Sequence, residues 1–352
     1  MTDFIDLYSM LPKELEDYFV SIGEKKFRAK QMFPKLAQGT PISEMTDLSL
    51  ALRERLTRET ADTLPKVEEK LVSKLDGTVK YLFRLHDGEC IESVFMRYKH
   101  GNTLCISSQV GCLMGCKFCA STLGGKVRDL LPSELAGQVI AAQRDTGERV
   151  SNIVMMGIGE PLDNFDNVVK FLELVNHEDG LNIGYRHISL STCGIVPKIY
   201  ELAKVDIPIT LSISLHASTD EKREAIMPIN RKWKIAELLT ACRDYYNTTK
   251  RRISFEYTLI GGKNDTREDA DELAVLLKNA FLGTGAPIHV NLIRVNEVKE
   301  TGFKEGSREG ADSFAKRLES HGITATVRRR LGADVNAACG QLRRTRIKGE
   351  NL

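Results

Sequence analysis

Apolar positions along the chain change their period twice, and the changes divide it into parts. Up to about residue 65 they recur at helical spacing. Leu11, Leu15, Tyr18 and Phe19 share one face of a helix that Pro12 opens. Phe27, Gln31, Met32 and Leu36 mark a second helix, and Leu48, Leu52 and Leu56 a third, with Thr46 or Asp47 as its cap. Residues 1–65 are therefore expected to form a small helical module. Across residues 66–98 the period shortens. Val67, Leu71, Val72 and Leu75, then Val79, Tyr81, Phe83 and Leu85, flank Asp76-Gly77, the signature of a hairpin turn. A second turn at Asp87-Gly88 leads into the apolar run Cys90–Met96, so this stretch is a small β extension or linker.

From residue 99 to about 330 strand and helix patterns alternate. Candidate strands are Thr103–Ser107, Asn152–Met156, His187–Ser191, Ile209–Leu215, Ser254–Leu259 and Ile288–Ile293. Helical patterns occupy 132–144, 165–175, 196–203, 235–247, 267–278 and 307–320. Six strands separated by helices predict an α/β fold with a parallel sheet or barrel. A full eight-unit barrel takes about 250 residues, and the roughly 195 from Thr103 to Asn296 suit six units. Residues 331–352 remain as a C-terminal segment with a basic end, Arg343-Arg344-Thr345-Arg346-Ile347-Lys348.

The polar and cysteine-rich motifs fall just beyond these strands. Cys112, Cys116 and Cys119 stand at C-x3-C-x2-C spacing after the first strand, among glycines that favour a loop over a helix. A loop that curls round an object brings three sulfurs to one centre, and thiolates so spaced hold an iron–sulfur cluster or zinc. Structural zinc ordinarily takes four protein ligands, and no fourth lies at finger or ribbon spacing. A four-iron cluster on three cysteines keeps one iron open to a ligand that is not protein. Gly157-Ile158-Gly159-Glu160-Pro161 follows the second strand, Ser191-Thr192-Cys193-Gly194 the third and Ser214-Leu215-His216-Ala217 the fourth, with Asn296 after the sixth. In this architecture, residues at the C-terminal strand ends form the active site.

Composition narrows the classes. At 42% hydrophobic and 28% charged, the chain has the balance of an ordinary globular protein. No apolar stretch reaches membrane-span length, and the N-terminus is acidic where a signal peptide is basic, so the expectation is a cytoplasmic protein. Eight cysteines there read as metal or redox chemistry rather than disulfide staples. The net charge of +2 does not announce a nucleic-acid binder, but Lys25-Lys26-Phe27-Arg28-Ala29-Lys30, Lys250-Arg251-Arg252 and Arg328-Arg329-Arg330 are local basic clusters.

The cysteine motif, with an aromatic residue before its last cysteine, resembles that of the radical S-adenosylmethionine (SAM) enzymes. Together with Cys105-Ile106-Ser107-Ser108-Gln109, the GIGEP, STCG and SLHA stretches and Ala337-Ala338-Cys339-Gly340-Gln341, it resembles the RlmN/Cfr family of RNA adenosine methyltransferases, and its RlmN branch best. The resemblance runs over nearly the whole chain. It implies an open partial (β/α)6 barrel with one [4Fe-4S] cluster on Cys112, Cys116 and Cys119, and SAM as cofactor. It implies SAM contacts from Gly159, Glu160, Ser191, Ser214, Leu215, His216 and Asn296. It also implies that Cys339 carries a methyl group from one SAM, that a second SAM is cleaved to a radical, and that Cys105 releases the product through a disulfide with Cys339. Glu92 matches the proton acceptor. Implied substrates are carbon 2 of an adenosine in 23S rRNA and of the adenosine beside the tRNA anticodon. A flavodoxin or ferredoxin would supply electrons, and the protein would act as a monomer.

A radical step suits this target. The C–H carbon between two adenine ring nitrogens is electron-poor and does not attack a SAM methyl group as a thiolate would. Holding the reacting carbon on a protein sulfur makes the addition effectively intramolecular, worth about 7–11 kcal/mol of barrier. Cys90, Cys193 and Cys242 match no catalytic position and read as packing residues. Competing readings are a Cfr-like enzyme acting on carbon 8 and a non-catalytic iron–sulfur protein.

Overall fold

The computed structural model describes residues 4–296, 302–337 and 341. Its N-terminal part holds α1 (Pro12–Ser21), α2 (Phe27–Ala37) and α3 (Leu50–Glu59). Their apolar faces meet in a core of Leu15, Phe19, Met32, Phe33, Leu36, Leu52 and Leu56, against which Leu174 of the barrel also packs. The cap of α3 is Ser49, whose hydroxyl accepts from the Leu52 N–H at 3.3 Å, and not Thr46 or Asp47. Asp47 turns away to pair with Lys35.

The rest is organised on one ten-stranded sheet. The first strands are β1 (Lys66–Val72), β2 (Val79–Arg84) and β3 (Cys90–Tyr98), followed by β4 (Gly101–Cys105). A separate hairpin, β5 (Gln109–Gly111) and β6 (Lys126–Asp129), brackets the cysteine loop. There follow α4 (Pro132–Thr146), β7 (Val150–Met155), α5 (Phe165–Asn176), β8 (Ile188–Thr192), α6 (Val196–Lys204) and β9 (Thr210–Ser214). Then come α7 (Asp220–Ile226), α8 (Ile235–Thr249), β10 (Ile253–Leu259), α9 (Arg267–Ala280), β11 (His289–Arg294), α10 (Arg308–Ser320) and β12 (Thr324–Val327).

The six expected strands are β4, β7, β8, β9, β10 and β11, and they run parallel in that order. Two features were not legible beforehand. A further parallel strand, β12, joins β11; its four residues are too few to show a period. The expected β extension is continuous with the barrel, because β3 pairs antiparallel with β4 and carries β2 and β1 into the same sheet.

Strand alternation sorts the side chains. Ile91 and Phe95 of β3 and Leu104 of β4 enter the large core beneath the helices. Val94, Met96 and Cys105 face the other way, into the concave side, with Ile158 and Ala337. Ala337 reaches that side because the chain after β12 spans from one sheet edge to the other. The Asp334 carboxylate accepts from Ser73 Oγ at 2.6 Å and the Lys74 N–H at 2.9 Å, and the Gly332 N–H donates to Asp76 at 2.9 Å.

Candidate active site

The cysteine loop is pinned at both ends. The Cys112 N–H donates to the Gly125 carbonyl at 3.0 Å. A side chain at Gly111 would lie 1.8 Å from that oxygen, so the turn into the motif admits only glycine. Further on, the Lys117 N–H donates to the Ile226 carbonyl of α7 at 2.9 Å. Cys112, Cys116 and Cys119 all line one cavity at the C-terminal ends of the parallel strands. Burial pushes the Cys112 thiol up to about 12 and Cys116 well above its ordinary value, with neighbouring cysteines and Glu160 adding to the effect. Such thiols lose their protons to a metal, not to water. Among the described residues no three cysteine, histidine or carboxylate groups converge on a single ion position. Zinc would hold its sulfurs ~2.3 Å from one point. A polynuclear cluster gives each sulfur its own iron and fits thiols distributed round a shared cavity.

The same cavity is lined by Gly159, Glu160, Ser191, Ser214, His216 and Asn296. Gly159, at φ +108°, packs against the Ser108-Gln109 backbone, where a Cβ would come within 2.7 Å of the Gln109 nitrogen. The GIGEP glycines thus serve the fit against the CISSQ segment: the Ser108 and Gln109 N–H groups both donate to the Ile158 carbonyl, and the Ile158 N–H donates to Ser107 Oγ. Glu160 is buried; that burial raises its carboxyl pKa, while backbone N–H donors, from Cys193 at 2.7 Å and Leu162 at 3.1 Å, oppose the rise. It is a buried carboxyl in a cavity wall, suited to an incoming cation.

His216 sits at φ +58° with its Nδ1 accepting from the Thr258 N–H at 2.9 Å. Burial, aided by the Arg223 charge, pulls its pKa down to about 3. The ring is therefore neutral with its proton on Nε2, a donor rather than a cation. Of the two asparagines near the last strand, Asn296 borders the cavity, whereas Asn291 donates within the sheet to Ser254 and Glu256. Leu215 stands apart from the other candidates. Its side chain joins the core, its N–H donates to the Glu256 carbonyl, and its own carbonyl accepts from Arg223.

Several residues at the site were missed by sequence reasoning. Glu256 of β10 lines the cavity with one buried carboxylate oxygen lacking a hydrogen bond, 3.8 Å from Arg328. A carboxylate so placed suits a hydroxyl or amine donor of a bound molecule, as the ribose and amino groups of SAM provide. Arg223 lies in the charged run Asp220–Glu224, which reads as a solvated face, yet it is only 1% exposed. It donates to the carbonyls of Leu215, Ser214 and Cys193 and to Asn230, tying the STCG and SLHA turns together. Cys193 also borders the cavity, while Cys242 is in the large core and Cys90 is buried on β3.

Glu92 lies on β3, which pairs with β2 on one side and β4 on the other. It is 3% exposed on β3, two residues from Val94 on the concave face, and pairs with Lys80 at 3.0 Å. Lys80 carries no motif and was not foreseen. Cys105 is buried in the cluster that contains Ala337, two residues before Cys339. Cys339 itself lies outside the described residues. A smaller cavity beside Ala337 and Met96 shares Ile293, Asn296 and Arg328 with the main one.

Comparison with known proteins accords with this geometry. A model described as the radical SAM superfamily matches residues 106–277, and one described as the ribosomal RNA large subunit methyltransferase N-terminal domain matches residues 5–61. The probable dual-specificity RNA methyltransferase RlmN of Alkaliphilus oremlandii is 53% identical, over 98% of this chain and 99% of that one. That of Clostridium perfringens strain 13 is 52% identical over 97% of each. The chain belongs to the RlmN family. A solved radical SAM methyltransferase from Sphaerobacter thermophilus, 40% identical, superposes with a TM-score of 0.91 over 96% of this chain and 99% of that one. RlmN membership brings with it a radical SAM α/β fold, a [4Fe-4S] cluster on three cysteines, and SAM. Among the described residues no helix is long and apolar enough to cross a membrane.

Proposed function

We propose that the chain methylates carbon 2 of an adenosine in 23S rRNA and of the adenosine beside the tRNA anticodon, with Cys339 as methyl carrier. The observation that carries this reading is the shared wall between two cavities. One is lined by the three cysteines and the SAM candidates, and the other lies against Ala337, whose apolar cluster includes Cys105.

In this reading Cys112, Cys116 and Cys119 hold the cluster, which when bound supplies the electron that cleaves SAM. Glu160 accepts from the SAM ammonium, with Gly159 beside it. Ser191, Ser214 and the His216 Nε2–H donate to carboxylate and ribose oxygens, Asn296 contacts the adenosine end, and Leu215 contributes only by holding the turn. The Cys339 thiolate takes a methyl group from one SAM, leaving S-adenosylhomocysteine. Once the sulfur-borne carbon has joined carbon 2 of adenine, Glu92 accepts the proton that leaves carbon 2 of the ring. The Cys105 thiolate then attacks the Cys339 sulfur: the sulfur–sulfur bond forms, the carbon–sulfur bond breaks with its electron pair passing to the released carbon, and that carbon takes up a proton to become the methyl group. Lys80 holds the Glu92 carboxylate in place through their ion pair. Residues 1–65 act as an RNA-binding accessory, 66–98 as the β extension, 99–330 as the catalytic core and 331–352 as the methyl-carrying tail. The protein works as a cytoplasmic monomer with a flavodoxin- or ferredoxin-type donor.

The test is anaerobic turnover of reconstituted protein with SAM, a low-potential reductant and a defined rRNA fragment, followed by mass spectrometry. Expected products are 2-methyladenosine, S-adenosylhomocysteine and 5′-deoxyadenosine, with methylation abolished in Cys339→Ala. A product at carbon 8 would overturn the regiochemistry, and no SAM turnover by a fully loaded cluster would overturn the enzymatic reading.

A further inference from the structure

We propose that Arg223 is the fixed counter-charge of the iron–sulfur cluster: a buried guanidinium that offsets the negative charge of the three-thiolate centre and eases its reduction. This rests on the cluster reading above.

The argument starts from an imbalance. Burying an ion is costly unless an opposite charge lies close by. Arg223 is 1% exposed, and an arginine keeps its charge even there. Its hydrogen bonds go to uncharged acceptors: Cys193 at 2.6 Å, Leu215, Ser214 and Asn230 at 3.1 Å. Asp220 is reached only through Asn230, whose amide donates to it. A solvated or ion-paired surface arginine needs none of this. Asp220 adds its charge at longer range, so no carboxylate meets the guanidinium directly and a bound anion has a cation waiting for it.

The position says what that is. The shortest bond of Arg223 is to Cys193, which lines the cavity. Cys193 packs with Ile226, Met227, Met114, Cys116 and Phe118, so α7 lies directly against the cysteine loop. The loop is tied there by the Lys117 N–H on the Ile226 carbonyl. Cys193 thus stands between a buried carboxyl and a buried guanidinium. Its N–H meets the Glu160 carboxylate, whose counter-charge is the SAM ammonium, and its carbonyl meets Arg223. Three thiolates on a [4Fe-4S] core leave a net negative charge, which grows by one when the core accepts an electron. A fixed cation nearby favours the more negative state, and so raises the reduction potential. The fork also links the STCG and SLHA turns, so Arg223 is a positioning residue as well.

The experiment compares the parent with Arg223→Lys, which keeps the charge and loses the fork, and Arg223→Gln, which loses the charge. Each is reconstituted anaerobically, assayed for iron and sulfide, and titrated potentiometrically with electron paramagnetic resonance detection, without SAM or RNA. The expected result is a lower midpoint potential in the Gln variant, or iron lost from it alone, with the Lys variant nearer the parent in both. A Gln variant with full iron and the parent's potential would overturn the proposal. So would Lys and Gln variants that shift alike or lose iron alike, which would assign the role to the fork's geometry. A parent that assembles no cluster would instead overturn the underlying reading, and this one with it.

Discussion

At the scale of single residues, the site depends on groups whose ordinary behaviour is suppressed. His216 has a folded pKa of about 3 against an ordinary 6.5. Below pH 6.5 the unfolded chain takes up a proton that the folded chain refuses until about pH 3. Stability is therefore lost as pH falls through this window, at roughly 1.4 kcal/mol per pH unit. His216→Asn tolerates the left-handed backbone and can still accept from Thr258. Its urea midpoint should fall less steeply between pH 6.5 and 3 than that of the parent. Lys80 and Glu92 form a pair whose side chains are 12% and 4% exposed. Lys80→Met removes the cation that faces the buried carboxylate and should cost about 3–5 kcal/mol in denaturant unfolding. Adding Glu92→Gln should restore most of that stability but not methylation. Equal activity in the double variant and the parent would remove Glu92 from the chemistry. Gly159→Ala combines an unfavourable backbone conformation with an overlap against Gln109, and should destabilise by about 2 kcal/mol or more in the same assay.

At the scale of elements, the segment after β12 matters more than its irregular appearance suggests. It is held at its far end by the Asp334 carboxylate on Ser73 and Lys74, from opposite ends of the chain. Asp334→Ala removes the two charge-assisted bonds that hold the segment to Ser73 and Lys74. The expected outcome is faster proteolysis between residues 328 and 337 and slower RNA methylation, with iron content unchanged. Iron loss in that variant would mean that the segment supports the cluster loop instead. The helix α7 is a second case. At seven residues it adds little by itself, but it delivers both Arg223 and the Ile226 carbonyl to the cysteine loop.

At the scale of the whole molecule, a net charge of +2 conceals an uneven distribution. Of the basic cluster Arg328–Arg330, Arg328 turns inward to the cavity, while Arg329 and Arg330 are exposed beside the second cavity and Arg330 pairs with Glu305. Phosphate contacts position an RNA without reading its sequence. Arg329→Ala should weaken RNA binding and make the logarithmic salt dependence shallower by about 1, while leaving RNA-free cleavage of SAM intact. An unchanged salt slope would place the RNA backbone elsewhere.

Six parallel strands, their helices and the placing of each motif at a strand end were legible in the chain itself, because apolar periodicity and turn residues are local properties. The cysteine spacing likewise carried its chemistry without coordinates, since three ligands within eight residues share one loop. What tertiary structure alone decided are the long-range pairings. The Lys80–Glu92 contact, the places of Asn296 at the cavity and Asn291 in the sheet, the core position of Leu215 and the passage of residues 328–337 across the sheet depend on packing between distant segments. Arg223 shows why most plainly. Inside a run of charged residues nothing local distinguishes it, and only the folded environment, by removing water from around it, turns an ordinary arginine into a buried ion in need of a partner.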